Sequence, residues 1–136
     1  MKISIQKDVE RAISIKESLI QRRDFLKQGF NRKFSTIVAE NYYEIIKEIC
    51  TAIFLIKGVK FIGEYAHKEL LAELSIFSEI TGEDLSLADN LRMLRNGSMY
   101  YGKRVEESYL INNEKELTLL ISKLDKILNR LLEENK

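Results

Sequence analysis

The sequence has no proline, no tryptophan, one cysteine and one histidine. Without proline nothing forces a break inside a helix, and a loop-rich β architecture lacks one of its usual turn residues. A lone Cys50 cannot form an intrachain disulfide or a multi-cysteine zinc site, and a lone His67 cannot build a histidine-rich metal site within one chain. No metal and no cofactor is therefore expected. Long apolar runs are missing too. The longest stretch free of charge runs from Ile49 to Ile56, well short of the roughly 18 residues that a membrane span needs. The first residues, MKISIQKDVERAI, carry charges where an export signal has its apolar core. The expectation is a cytoplasmic protein without membrane contact. Its 136 residues fit one domain covering 1–136.

What is present reads as helix. Hydrophobic residues make up 45% and charged residues 32%, the balance of a folded chain rather than a disordered one. Six glycines, at 29, 58, 63, 82, 97 and 102, divide the chain into segments with a 3.6-residue apolar period. The first segment, about 7–28, carries Val9, Ala12, Ile13, Leu19, Ile20 and Leu26. The second, about 33–57, is the most apolar, with a stripe from Phe34 through Val38, Tyr42, Ile45, Ile49 and Ile53 to Ile56. A stripe that wide belongs to a helix covered on most sides, central to a bundle, with Cys50 in the core. The third, about 64–79, aligns Leu70, Leu71, Leu74 and Phe77. The fourth opens on Thr81-Gly-Glu-Asp84, a capping box with Asp in the usual Glu place, and continues with Leu87, Ala88, Leu91, Leu94 and Arg95. The fifth opens near Asn113, with Glu116 three residues on, and runs Leu117, Leu120, Ile121, Leu124, Ile127, Leu128, Leu131. Residues 133–136 are expected to fray. Nothing alternates with period two for long enough to predict a strand. The predicted fold is all-α, an antiparallel up-and-down bundle of about five helices.

Charge is uneven. Residues 1–33 hold nine Lys/Arg and four Asp/Glu, net +5; residues 34–90 hold four and ten, net −6; residues 91–136 hold nine and seven, net +2. From Asn90 to Val105 there are four cations, Arg92, Arg95, Lys103 and Arg104, and no acid. That window is a candidate local anion site or, alternatively, a solvated face complementing the acidic middle.

One residue in it does not suit a plain bundle. Arg95 lies four residues after Leu91 and seven after Ala88, which aims it along the apolar stripe. A guanidinium placed there needs an acceptor. Either a carboxylate of the same chain supplies it, or a ligand phosphate does. Next come Asn96, Gly97, Ser98, Met99, Tyr100, Tyr101, Gly102, Lys103 and Arg104. Tyrosine faces can stack on a base, and Lys/Arg can meet phosphates. Arg95, Asn96, Tyr100, Tyr101, Lys103 and Arg104 form the predicted RNA- or nucleotide-binding set.

In two stretches the chain resembles the HEPN superfamily of small helical-bundle domains. The first is Ala39-Glu-Asn-Tyr-Tyr43 through Ala52-Ile-Phe-Leu-Ile-Lys-Gly58, followed by Tyr65-Ala-His-Lys-Glu-Leu-Leu71. It is similar to the family's central helix, its glycine-ended turn and the start of the next helix. The second is Leu91-Arg-Met-Leu-Arg95-Asn96, similar to the opening of the family's Arg-polar-x(3–5)-His motif. In many HEPN ribonucleases that motif lies in a cleft between two subunits and supports metal-independent RNA cleavage. The resemblance thus implies a homodimer and assigns catalytic positions to Arg95, Asn96 and Tyr100. The motif histidine, however, is absent: the matching positions are Tyr100, Tyr101 and Gly102. The tyrosine that a partner nucleotidyltransferase modifies in the toxin branch would fall at Gly102, so it is absent as well.

Cleavage of RNA by its own 2′-hydroxyl needs a base, an acid and a cation for the phosphorane. Imidazole exchanges protons near neutrality, whereas a tyrosine hydroxyl, titrating near 10, is a poor base. The expected function is a HEPN-like RNA- or nucleotide-binding protein with a weakened or lost ribonuclease site. The alternatives are a non-catalytic dimeric module partnering a separately encoded nucleotidyltransferase, toxin–antitoxin-like, and an endoribonuclease using Tyr100 or His67.

Overall fold

The computed structural model describes residues 1–29 and 32–136. Strand β1 (Lys2–Ser4) leads into helices α1 (Val9–Ser18), α2 (Ile20–Lys27) and α3 (Ser35–Ile56). Strand β2 (Val59–Phe61) follows, then α4 (Ala66–Ala72), α5 (Gly82–Tyr101) and α6 (Glu107–Glu134). The architecture is the predicted all-α bundle. Central helix α3 packs against α1, α2, α4, α5 and α6. Its Ile46, Ile49, Cys50, Ala52 and Ile53 are completely buried. Burial pushes the Cys50 thiol pKa up and keeps it protonated.

Local chemistry explains the best-predicted elements. Thr81 accepts from the Asp84 N–H at 3.0 Å while Asp84 accepts from the Thr81 N–H at 3.0 Å, which closes the capping box of α5. Asp84 also takes Lys123 of α6 at 2.7 Å. The α6 stripe from Leu117 to Leu131 is buried as the spacing predicts.

Five expectations need correction. The first segment is two helices, separated by a turn at Leu19, whose N–H reaches the Lys16 carbonyl. Ala12 and Leu19, seven residues apart, share the buried face, while Ile13 and Ile20, also seven apart, face solvent. A small sheet does exist: β1 and β2 pair antiparallel, Lys2 opposite Phe61 and Ser4 opposite Val59. Gly58, at φ +72°, makes the turn into β2, and a Cβ there would sit 2.8 Å from the Ile5 carbonyl. The third segment starts later and ends earlier, as α4 plus a 3-10 turn over Glu73–Ile76. Finally, α6 begins at Glu107 rather than Asn113 and stays helical to Glu134. The Asn113 amide donates back to the Tyr109 carbonyl inside the helix and caps nothing. The buried α3 stripe also starts after Phe34, which is exposed rather than part of it.

No helix of the described residues is long and apolar enough to cross a membrane.

Candidate functional site

Although α3 is the most apolar helix, it carries one polar stripe. Glu40, Asn41, Glu44, Lys47 and Glu48 recur at helical spacing and fall on one face. Helix α2 flanks this face on one side and α5 on the other. Between them lies a groove of about 470 Å³ lined by Arg22 and Phe25, by Ile37 and Glu44, and by Arg95 and Met99.

Arg95 sits at the wall of this groove, its side chain only 14% exposed. Its Nη2 donates to Glu44 Oε1 at 3.0 Å, and its guanidinium lies 5.4 Å from the centre of the Tyr43 ring. Of the two acceptors open at the sequence level, the chain's own carboxylate is the one in place. Glu44 holds a second cation, with Lys47 Nζ 2.7 Å from Oε2. Desolvation pushes the Glu44 pKa up. The Lys47 hydrogen bond and charge, with the charges of Arg95 and Arg22, outweigh it and hold the carboxyl below its ordinary 4.5. The groove's other end is pinned by a reciprocal pair. Arg22 Nη1 donates to Asn41 Oδ1 at 3.0 Å, and the Asn41 amide donates to the Arg22 carbonyl at 2.9 Å.

Beneath Arg95, Tyr43 is 1% exposed. Its hydroxyl has no hydrogen-bond partner among the described residues. Burial raises its pKa to about 12, against the opposing pull of Arg95, so it stays protonated.

The remaining predicted residues lie at the end of α5. Asn96 makes no side-chain hydrogen bond among the described residues, and Tyr100 and Tyr101 are 71% and 77% exposed. Both tyrosines are helical, so Gly97 lies within the helix rather than in a turn before them. Gly102 ends the helix in the left-handed conformation at φ +66°. The N–H groups of Gly102 and Lys103 both reach the Gly97 carbonyl and close the helix end. Helical neighbours diverge by about 100°, which splits the tyrosine pair. Tyr100 shares the side of Asn96 and Met93, whereas Tyr101 turns away, with Lys103 Nζ 6.0 Å from its ring centre. The structure therefore puts Asn96 and Tyr100 on one side of α5, about 100° and 140° round the helix from Arg95, and does not gather the six residues into one pocket.

Two contacts fix this end of α5 beside the groove mouth. Ser35 Oγ donates to the Val105 carbonyl at 2.6 Å, and the Val105 N–H donates to Thr36 Oγ1 at 3.0 Å. Lys103 and Arg104, both exposed, are carried by this tied segment.

The lone imidazole does not line this groove. His67 lies on α4 and lines a different pocket. It still feels the charges of Lys47, Arg95, Glu44 and Glu48, and desolvation first, then Lys47 and Arg95, lower its pKa below the ordinary 6.5. No group of three or more His, Cys, Asp or Glu among the described residues can hold a metal ion.

The groove residues Arg22, Asn41 and Glu44, and Lys47 paired to Glu44, lie outside the predicted site set. The signal was a polar stripe at helical spacing on an otherwise apolar helix. Compared with protein-family models, with curated proteins and with solved structures, the chain has no match in any of the three.

Proposed function

We propose that the chain is a HEPN-like protein that binds RNA or a nucleotide by its phosphate on the α5 wall of the groove, without the family's ribonuclease activity. One observation carries this reading. Arg95 is held by Glu44, but Glu44 keeps Lys47 as a second partner. A phosphate can therefore take over the guanidinium without stranding a partly buried carboxylate, and a planar fork suits phosphate oxygens. Asn96 and Tyr100, on the acid-free stretch from Asn90 to Val105, are unengaged groups on the adjoining side of α5, where a longer ligand can reach them. Lys103 and Arg104 neutralise further phosphates, and Tyr101 offers a separate stacking face.

Loss of cleavage follows from proton chemistry. The position where the resemblance requires histidine is Tyr100, and His67 opens onto another pocket. Substituting Tyr100→His tests this reading. The variant should gain RNA cleavage in the presence of a chelator while the wild type shows none. Efficient cleavage by the wild type, or RNA binding unchanged by Arg95→Ala, would overturn it.

A second reading, a dimeric interaction module with a nucleotidyltransferase partner, is favoured by a different observation. Exposed apolar side chains, Ile37 of α3 and Met99 of α5, line the same groove. Exposed apolar groups of this kind mark contact surfaces when they are contiguous. A sedimentation mass near 15.9 kDa at micromolar concentration would contradict the dimer.

A further inference from the structure

A second pocket, sharing no lining residue with the groove, lies between α3, α4 and β2. Its volume is about 150 Å³. The walls are apolar: Phe54 and Leu70 from the helices, Val59 and Phe61 from the strand. Phe54 and Phe61 meet edge to face, with centroids 5.6 Å apart. An apolar cavity of about 150 Å³ accepts a molecule the size of benzene.

The polar groups on the rim are Arg11, Thr51 and His67, and no carboxylate lines the pocket. Arg11 belongs to α1, and only its backbone N–H is engaged, donating to Asp8 Oδ1 at 3.0 Å. Its guanidinium makes no ion pair or hydrogen bond among the described residues, and neither does the His67 imidazole. Thr51 spends its hydroxyl proton on the Lys47 carbonyl at 2.9 Å. Lys60 also lies at this pocket. Strand alternation, however, puts its side chain on the face opposite Val59 and Phe61, so Arg11 is the cation that counts.

We propose that this pocket binds a small organic monoanion, an apolar body of about benzene size carrying one carboxylate that pairs with Arg11. The body sits against Phe54, Phe61 and Leu70, where burial supplies affinity. The carboxylate stays at the rim, where a planar guanidinium can hold both oxygens. His67 contributes a neutral N–H donor. Its lowered pKa, set by desolvation and by Lys47 and Arg95 against Glu44 and Glu48, favours the uncharged ring at neutral pH.

Benzoate is the probe, titrated into the full chain and followed in amide proton–nitrogen spectra. Saturable shifts should centre on Thr51, Leu55 and His67. Benzyl alcohol, which keeps the body and drops the charge, should bind at least tenfold more weakly. Acetate, which keeps the charge and drops the body, should do the same. Arg11→Gln, at an exposed position that the fold does not use, should weaken benzoate at least tenfold. Ala66→Leu, which fills the pocket, should abolish its binding, whereas Met99→Ala, which alters the groove alone, should leave it unchanged and so separate this pocket from the groove. No saturable shifts with benzoate, equal binding of benzyl alcohol, or full affinity in Arg11→Gln would each overturn the proposal.

Discussion

Replacing Glu44 by Gln separates a ligand-binding Arg95 from a merely structural one. The Arg95–Glu44 pair is 3.0 Å long, with side chains 14% and 17% exposed. Exposed pairs contribute about 0.2–1 kcal/mol, and breaking a fully buried pair costs about 3–5 kcal/mol. This pair lies between, and Lys47 remains on Glu44 whichever way Arg95 turns. A coupling of about 1–2 kcal/mol follows for the pair. A phosphate that takes over Arg95 must first displace Glu44, so Glu44→Gln removes that opposing free energy. Affinity for a single-stranded RNA oligomer or a nucleotide should then rise by a factor of about 5–30. Stability should fall by about 1–2 kcal/mol in a urea melt, because the guanidinium keeps only the Tyr43 face. The assay is fluorescence anisotropy at low salt beside the melts, with Arg95→Ala and the double variant completing the cycle. If Glu44→Gln loses stability but leaves ligand affinity unchanged, Arg95 is a structural residue and the site assignment fails.

Other outcomes follow from the same structure. Ile49→Asp places an unpaired charge at a site with no solvent exposure and should abolish folding, read as loss of the cooperative far-UV transition. Thr81→Ala breaks the α5 capping box and should cost about 1 kcal/mol in a urea melt. Gly58→Ala should cost more than Gly102→Ala: both have positive φ, but only at Gly58 does a Cβ meet a carbonyl, at 2.8 Å. Acid should destabilise the fold through Glu44 and Asp84. Desolvation raises the Asp84 pKa, but Lys123 and the Thr81 cap outweigh it, so both carboxyls lie below their ordinary values of 4.5 and 3.8. The stability they contribute is complete above those values and is lost as pH falls through the lowered ones. Glu44→Gln with Asp84→Asn should flatten the stability profile in that range, and an unchanged profile would count against both assignments.

How much of this was legible in the sequence depended on range. The α3 and α6 stripes and the Thr81 box are local patterns, and each survives in the structure. The break at Leu19 carries neither glycine nor proline, so periodicity ran straight through it. Strands of three residues are too short to show period two, and they pair across the chain, Lys2 with Phe61. The site divides the same way. Arg95 stood out because i+4 and i+7 spacing put it on the buried side of α5. Its partner Glu44 is 51 residues away, and nothing local joins the two. The tyrosine pair looked like one feature because adjacent letters read as adjacent groups, whereas a continuing helix turns them apart.

The central claim is that phosphate-bearing ligands bind at Arg95 on α5. Anisotropy of a labelled single-stranded RNA, titrated with the wild type and with Arg95→Ala across a salt series, tests it most directly. Binding is expected at low salt, with a log–log salt slope of about −0.7 per neutralised phosphate and a larger loss for Arg95→Ala than for Lys103→Ala. Absence of RNA and nucleotide binding at low salt, with Arg95→Ala changing only stability or association state, would contradict it.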